Sequence, residues 1–230
     1  MKTLDHKIII YDDVCPLCKT YTEGFVQLGW LLPEHRLGFS IAPKDILDNI
    51  DINRARHEIP LYDTETGQTL YGKEALFFIF GEAFPLLKPL FRSHFFRAII
   101  FSLYQIITYN RRIMAGSKTP QTGFDCAPDF NSFYRWLYIG LMSFFSFIIF
   151  YNNIQTIDIV SVTWTCLFFV GILRGLFFKN FKIKTTYFGH LATVVFIVHF
   201  IICIFGTHAF TLTIAILLSV FLMKKRIDLV

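Results

Sequence analysis

The second half of the chain is almost continuously apolar. Between Trp136 and Met223 nearly every residue is apolar or small. The charged interruptions are few: Asp158, Arg174, Lys179, Lys182 and Lys184. A soluble domain of this size needs a polar surface, which this segment cannot supply, whereas a lipid bilayer requires none. The pattern therefore predicts membrane helices rather than a soluble core.

Four stretches in this half approach the roughly 20 residues that a helix needs to cross a bilayer. They span about 133–151, 157–178, 187–205 and 207–223. Basic residues precede the first stretch, crowd the connection between the second and third, and follow the fourth, whereas "YNNIQTID" and "GTHA" contain none. Because basic connections stay on the cytoplasmic side, we expect four spans with both termini cytoplasmic.

The amino-terminal sequence supports this orientation. "MKTLDHKIII" contains no long apolar stretch typical of a secretory signal. We therefore expect an integral, multi-pass protein of the bacterial inner-membrane type whose first domain remains in the cytoplasm.

The first 85 residues alternate between strand-like and helix-like segments. The run "KIIIY" is continuously apolar, as expected of a buried strand. It is followed by a helix from "CPLC" to Pro33, a strand "RLGFSIA", a helix over "PKDILDNIDINRARHE", a hairpin of "IPLYD" and "QTLYG", and a helix "KEALFFIFGEAF". The order βαβαββα predicts a small α/β domain.

The segment 86–112 is apolar but contains Arg97, and its apolar run of about 15 residues is short for a span. We interpret it as a helix packed on the domain, with a membrane-surface helix as the alternative. The following Gly-, Pro-, Ser- and Thr-rich stretch is typical of a linker. We therefore predict a domain over 1–115, a linker over 116–132 and a membrane domain over 133–230.

The distribution of charge argues against nucleic-acid binding. Residues 1–135 contain 15 Lys and Arg and 15 Asp and Glu, whereas residues 136–230 contain 7 and 2. The net charge of +5 thus belongs to the apolar half, at the ends of its hydrophobic segments. A nucleic-acid site needs basic residues clustered on a domain face. Membrane lipid is the expected partner instead.

Two cysteines lie two residues apart where the first strand meets the first helix. A thiolate at Cys15 would be favoured by the helix dipole and by unpaired backbone N–H groups. Cys18 lies one turn later and could resolve a mixed disulfide formed at Cys15. Pro16 suits the first helical turn, where its missing N–H costs nothing. This arrangement indicates a redox pair.

Three other interpretations of the pair stay open at this point. "CPLC" resembles half of a zinc site, but such a site usually has four ligands, and the other cysteines are scattered at Cys126, Cys166 and Cys203. A structural disulfide does not suit a reducing cytoplasm. The two cysteines could also be chemically inert.

The segment "DDVCPLC" has the spacing Asp12-x-x-Cys15-x-x-Cys18. It resembles the signature of the DCC family of predicted thiol–disulfide oxidoreductases, which have a thioredoxin-like fold. The resemblance runs from about Lys7 to Arg112 and includes "LYGKEALFFIF" and, more weakly, "YQIITYNRR". It implies a thioredoxin-like α/β domain, which is followed here by an all-α four-helix transmembrane bundle.

The resemblance also directs attention to three further residues. In thioredoxin-like proteins a cis-proline at the start of the third strand faces the cysteines, so Pro60 is expected to be cis; an ordinary trans-proline is the alternative. Asp12 could accept a proton from Cys18 or cap the helix. The family often has Gly where this chain has Asp13, and a turn with positive φ is less comfortable for Asp.

The sequence therefore predicts a membrane-anchored, cytoplasm-facing thiol–disulfide oxidoreductase in which Cys15 and Cys18 react and Asp12, Pro16 and Pro60 support them. We expect no cofactor and no metal, a protein or small-molecule thiol or disulfide as substrate, and an electron donor that the sequence does not name. The alternative is a transport or scaffold protein whose CxxC domain has a regulatory redox or metal-binding role.

Overall fold

The computed structural model of the chain describes residues 4–117, 128–153, 159–206 and 209–227. The chain divides into two compact units, Met1–Asp129 and Phe130–Val230.

The first unit combines four short strands with six helices among its described residues. In chain order the elements are β1 (Lys7–Tyr11), α1 (Pro16–Gln27), β2 (Arg36–Gly38), α2 (Lys44–Leu47), α3 (Ile52–Ala55), β3 (Pro60–Asp63), β4 (Thr69–Tyr71), α4 (Lys73–Ala83), α5 (Lys88–Arg92) and α6 (His94–Ala115). Short 3₁₀ turns at Pro33–His35 and Pro85–Leu87 complete the unit. The predicted order of strands and helices is confirmed as an α/β arrangement.

The four strands form one mixed sheet in the order β2-β1-β3-β4. Strand β1 pairs in parallel with β2 and antiparallel with β3, and β3 and β4 form an antiparallel hairpin. Strand β1 is therefore central, and the loop that leaves its carboxyl end carries Cys15.

The apolar run of β1 is continuous because both faces of the sheet are covered. Ile9 packs with Phe25 of α1 and Ile79 of α4 in a cluster on one face. Ile8 and Ile10 pack on the other face with residues of the α2–α3 segment. A strand with two buried faces loses the alternation of polar and apolar positions, as the sequence predicted.

Two of the predicted helices have different bounds. Helix α1 ends at Gln27 rather than at Pro33, because Gly29 takes a left-handed conformation (φ 69°) that terminates it. The predicted helix over 43–58 is two short helices. Asp51 interrupts it, because its side chain caps α3 by accepting a hydrogen bond from the Arg54 N–H at 3.1 Å.

Helix α6 is the longest element of the first unit. It comprises 22 residues and ends where Gly116 adopts a left-handed conformation (φ 62°). It packs against α1, α4 and α5, and Arg97 forms an ion pair with Glu74 of α4. The interpretation of 86–112 as a helix packed on the domain is confirmed, although a short break at Ser93 separates α5 from α6.

The second unit is entirely helical within its described residues. Its elements are α7 (Ser132–Asn153), α8 (Ile159–Leu176), α9 (Phe181–Phe205) and α10 (Ala209–Ile227). Two stretches are long and apolar enough to cross a membrane by length and composition, Ser132–Asn152 and Phe181–Phe205. The stretch Thr165–Leu176 of α8 is apolar but shorter.

Helix α9 is central to this unit and packs against α7, α8 and α10. The Tyr138 and Thr193 hydroxyls share a hydrogen bond of 2.7 Å between α7 and α9. At Gly175 an added Cβ would lie 2.7 Å from the Phe188 ring, so glycine allows α8 to approach α9 closely. Polar contacts and small residues thus join helices whose surfaces are otherwise apolar.

Helix α9 begins six residues earlier than the predicted span at 187. The Asn180 side chain accepts a hydrogen bond from the Ile183 N–H at 3.1 Å and so starts the helix there. Lys182 and Lys184, which the sequence placed in a connection, therefore lie in the first turns of α9. A hydropathy pattern marks only the apolar part of a helix, whereas the cap determines where the backbone begins to coil.

Candidate functional site

The loop between β1 and α1 is held by Asp12. Its carboxylate accepts hydrogen bonds from the Val14 N–H at 3.0 Å and from the Cys15 N–H at 3.1 Å. Cys15 is the N-cap of α1 and Pro16 occupies the first helical turn, as predicted. Asp12 therefore holds the loop before α1 and does not cap the helix, whose N-cap residue Cys15 has no side-chain cap hydrogen bond.

Cys15 and Cys18 are free thiols that lie against each other below the surface, with 4% and 5% of their surface exposed. Hydrogen bonds from the Cys18 thiol and then from the Cys18 N–H lower the pKa of Cys15 from 9.0 to about 6, although burial opposes this shift. The same thiol hydrogen bond, reinforced by burial, raises the pKa of Cys18 well above its ordinary value. At neutral pH the pair consequently holds one thiolate, at Cys15, and one thiol, at Cys18.

Arg111 of α6 belongs to the site, although the sequence analysis did not single it out. Its guanidinium donates toward the Cys18 sulfur at 3.8 Å and lies 3.4 Å from the Asp12 carboxylate. The positive charge lowers the pKa of both cysteines, against the opposing effect of Asp12. The motif "YQIITYNRR" contains Arg111, but 93 residues separate it from Cys18 and only the packing of α6 joins them.

A cavity of about 340 Å³ adjoins Cys18. Asp12, His57 and Arg111 form part of its lining together with Cys18. Most of the remaining wall is apolar and includes Phe25, Ile59, Leu76, Phe80 and Ile107. The site can therefore receive an apolar group beside the sulfurs.

Tyr21 and Tyr104 also line this cavity. Burial raises the pKa of Tyr104 to about 12 and raises the pKa of Tyr21 well above its ordinary value. Both phenols remain protonated near neutral pH. They therefore cannot serve there as bases.

The expectation of a cis-proline at Pro60 is wrong, since the peptide bond before Pro60 is trans. Pro60 is buried at the first position of β3, opposite Tyr71 of β4. The carbonyl of Ile59 accepts a hydrogen bond from the Gly72 N–H at 2.9 Å and extends the hairpin. A trans-proline is compatible with this place because the first position of a strand tolerates a missing N–H.

Asp13 causes no backbone strain, because its φ is negative. Its carboxylate accepts a hydrogen bond from the Ser40 hydroxyl. At Gly38 an added Cβ would lie 2.8 Å from the Asp13 Cβ. Gly38 thus allows the end of β2 to approach the β1–α1 loop closely, and a glycine at position 13 is not required.

The remaining cysteines are separate from this pair. Cys166 and Cys203 belong to the helices of the second unit and are exposed there. Cys126 lies outside the described residues. Potential metal ligands in the described part of the chain come together at His6, Asp63 and Glu65, where the Lys7 ammonium already binds Asp63 and holds the pKa of its carboxyl well below the ordinary value.

No family model, no curated protein and no solved structure matches this chain.

Proposed function

We propose that the chain is a thiol–disulfide oxidoreductase that uses Cys15 as its nucleophile and Cys18 as its resolving thiol. The observation that carries the proposal is the pairing of two thiols at the start of α1, in which Cys18 donates a hydrogen bond to Cys15 and lowers its pKa to about 6. A stable thiolate beside a protonated partner is the arrangement that disulfide exchange requires.

In the first step the Cys15 thiolate attacks one sulfur of a substrate disulfide. A Cys15–substrate disulfide forms, the substrate disulfide breaks, and the other substrate sulfur leaves as a thiolate that takes up a proton. The cavity beside Cys18 accommodates an apolar part of the substrate during this step.

In the second step Cys18 loses its proton and attacks the sulfur of Cys15. The Cys15–Cys18 disulfide forms and the second substrate thiol is released, so the substrate gains two electrons and the enzyme is oxidised. Arg111 contacts the Cys18 sulfur and stabilises negative charge as it develops there. Asp12, which contacts Arg111, accepts the proton that Cys18 loses. The reverse sequence would oxidise a dithiol substrate.

We further propose that residues 4–117 form a thioredoxin-like domain of the DCC family. The proposal is supported by the motif at Asp12, Cys15 and Cys18, by its position after a central strand, and by the mixed sheet order β2-β1-β3-β4. The trans bond at Pro60 departs from the expectation for that fold.

For the second unit we propose four spans with both termini in the cytoplasm. The supporting observations are the two apolar helices that are long enough to cross a bilayer and the lengths of α8 and α10, which have 18 and 19 residues. Basic residues also occupy the last turns of α8 and α10, as expected for ends that face the cytoplasm. The α/β domain would then act at the cytoplasmic face.

The function is tested with full-length protein in which Cys18 is replaced by Ser. After reduction and exposure to glutathione disulfide, the Cys18→Ser variant should accumulate glutathione on the peptide that contains Cys15, as read by mass spectrometry. The unmodified protein should instead form the Cys15–Cys18 disulfide, and the matched Cys15→Ser variant should form neither product. Equal labelling of the two variants would refute the assignment, and zinc retained in a one-to-one ratio would favour a metal site.

A further inference from the structure

Helix α6 carries a row of large apolar side chains on its exposed surface. Phe95, Ile99, Leu103 and Ile107 recur at every fourth position and have exposed fractions of 76%, 43%, 47% and 44%. At about 100° per residue these four side chains, here named the α6 stripe, span an arc of roughly 120°. Just before this helix Leu86, with 94% exposed, and Leu90 continue the apolar surface.

The α6 stripe is directed away from the sulfurs along most of its length. Tyr104, Thr108 and Arg111 line the cavity from a face that is turned about 120° from the centre of the stripe. Ile107 lies at the edge of the stripe and also lines the cavity. An apolar row of this kind on a domain surface usually marks a binding surface.

The charges of the surrounding segment identify the kind of surface that the α6 stripe fits. From Ala83 to Phe124 the sequence contains no Asp or Glu. Over the same range it contains six basic residues: Lys88, Arg92, Arg97, Arg111, Arg112 and Lys118. Lys88, Arg97 and Arg111 form ion pairs with Glu82, Glu74 and Asp12, whereas Arg92, just before α6, is exposed. Exposed apolar residues beside such a positive charge are complementary to a bilayer with anionic headgroups.

We propose that α6 lies on an anionic lipid surface, with the α6 stripe inserted between the headgroups and Arg92 near the phosphates. The chain itself supports this choice of partner, because a helix long and apolar enough to span a bilayer begins at Ser132, 16 residues after Gly116. The proposal rests on the membrane attachment proposed above but not on the thiol chemistry. It brings Ile107, which lines the cavity, to the lipid surface, where substrates that partition into membranes are concentrated.

The test uses the full-length protein in vesicles of phosphatidylcholine and phosphatidylglycerol that contain a trace of lipid with a photoreactive group high in its acyl chain. After illumination, mass spectrometry locates lipid adducts on peptides of α6 and, separately, on peptides of α7 and α9. We expect adducts at Phe95, Ile99 and Leu103. Adducts on α7 and α9 in the same sample report on membrane insertion, so failure of insertion is distinguished from failure of docking.

Two single substitutions provide a matched comparison. Leu103→Glu places a carboxylate in the α6 stripe, whereas Gln105→Glu adds the same charge about 200° away around the helix. We expect Leu103→Glu to lower labelling of α6 by about tenfold, since burying a leucine side chain favours binding by roughly that factor or more, and Gln105→Glu to change it little. Vesicles of phosphatidylcholine alone should also lower the labelling.

Three results would overturn the proposal. The first is an unlabelled α6 in vesicles in which α7 and α9 are labelled. The second is equal labelling of the two Glu variants. The third is a dimer in detergent that Leu103→Glu dissociates, which would assign the α6 stripe to a second copy of the chain.

Discussion

Cys18→Ala should raise the pKa of Cys15, because the hydrogen bond from the Cys18 thiol is the largest cause of its lowered value. A hydrogen bond to a charged group contributes about 1.5–3 kcal/mol, which corresponds to roughly 1–2 pH units. The midpoint for ionisation of Cys15 should therefore move from about 6 to roughly 7–8 in this variant. Cys18→Ser retains a hydroxyl donor and should remain closer to the original midpoint.

The lowered pKa has opposite effects on reactivity at low and high pH. At pH 5.5 about a quarter of Cys15 is ionised with a pKa of about 6, against roughly 0.03% for a thiol with a pKa of 9.0. A thiolate whose pKa is three units lower is intrinsically about twentyfold less nucleophilic. Cys15 should consequently react about 40-fold faster than an ordinary thiol at pH 5.5 and about 20-fold more slowly at pH 10.

The assay is alkylation by iodoacetamide at a series of pH values, with each cysteine peptide quantified by mass spectrometry. Burial of Cys15 lowers its rate at every pH, so the midpoint, rather than the absolute rate, is the diagnostic quantity. The reasoning is refuted if Cys18 ionises at a lower pH than Cys15. It is also refuted if the ionisation midpoint of Cys15 is the same in Cys18→Ala as in Cys18→Ser.

Two further predictions concern Arg111 and the membrane topology. Arg111→Met should slow the second step of exchange and raise the ionisation midpoint of Cys15, because the guanidinium lowers the pKa of both thiols. Single-turnover kinetics should show that the mixed disulfide persists in this variant. Arg111→Lys should recover part of the rate. A reporter fused after Val230 should be active only in its cytoplasmic form, and an extracytoplasmic signal would exclude the proposed four spans.

The pair at Cys15 and Cys18 could be located from sequence because its determinants are local. A continuous apolar strand, a turn residue whose carboxylate binds the N–H groups of the following loop and a proline in the first helical turn all lie within twelve residues of one another. The hairpin between β3 and β4 and the start of α4 were predictable for the same reason. Each depends on turn chemistry or hydrophobic periodicity that a short window contains.

Arg111 could not be assigned in this way. Its role depends on α6 packing against α1, and nothing in the neighbouring sequence distinguishes it from Arg112, which follows it directly. The break at Asp51 was missed for a related reason. The Asp51 N–H donates to the Tyr71 hydroxyl at 2.7 Å, so a residue 20 positions away helps to fix the end of one helix and the start of the next.

The contacts of Asp12 show what the Arg111 guanidinium contributes to the electrostatics of this site. The same carboxylate that holds the β1–α1 loop through the Val14 and Cys15 N–H groups also raises the pKa of both cysteines by its negative charge. This negative charge would by itself oppose the thiolate that the proposed exchange reaction uses. Arg111 lies against both the carboxylate and the Cys18 sulfur and offsets that charge. The positive charge of Arg111 in α6 thus offsets the negative charge of Asp12 in the β1–α1 loop. The pKa values of the two cysteines therefore depend on residues from both ends of the domain.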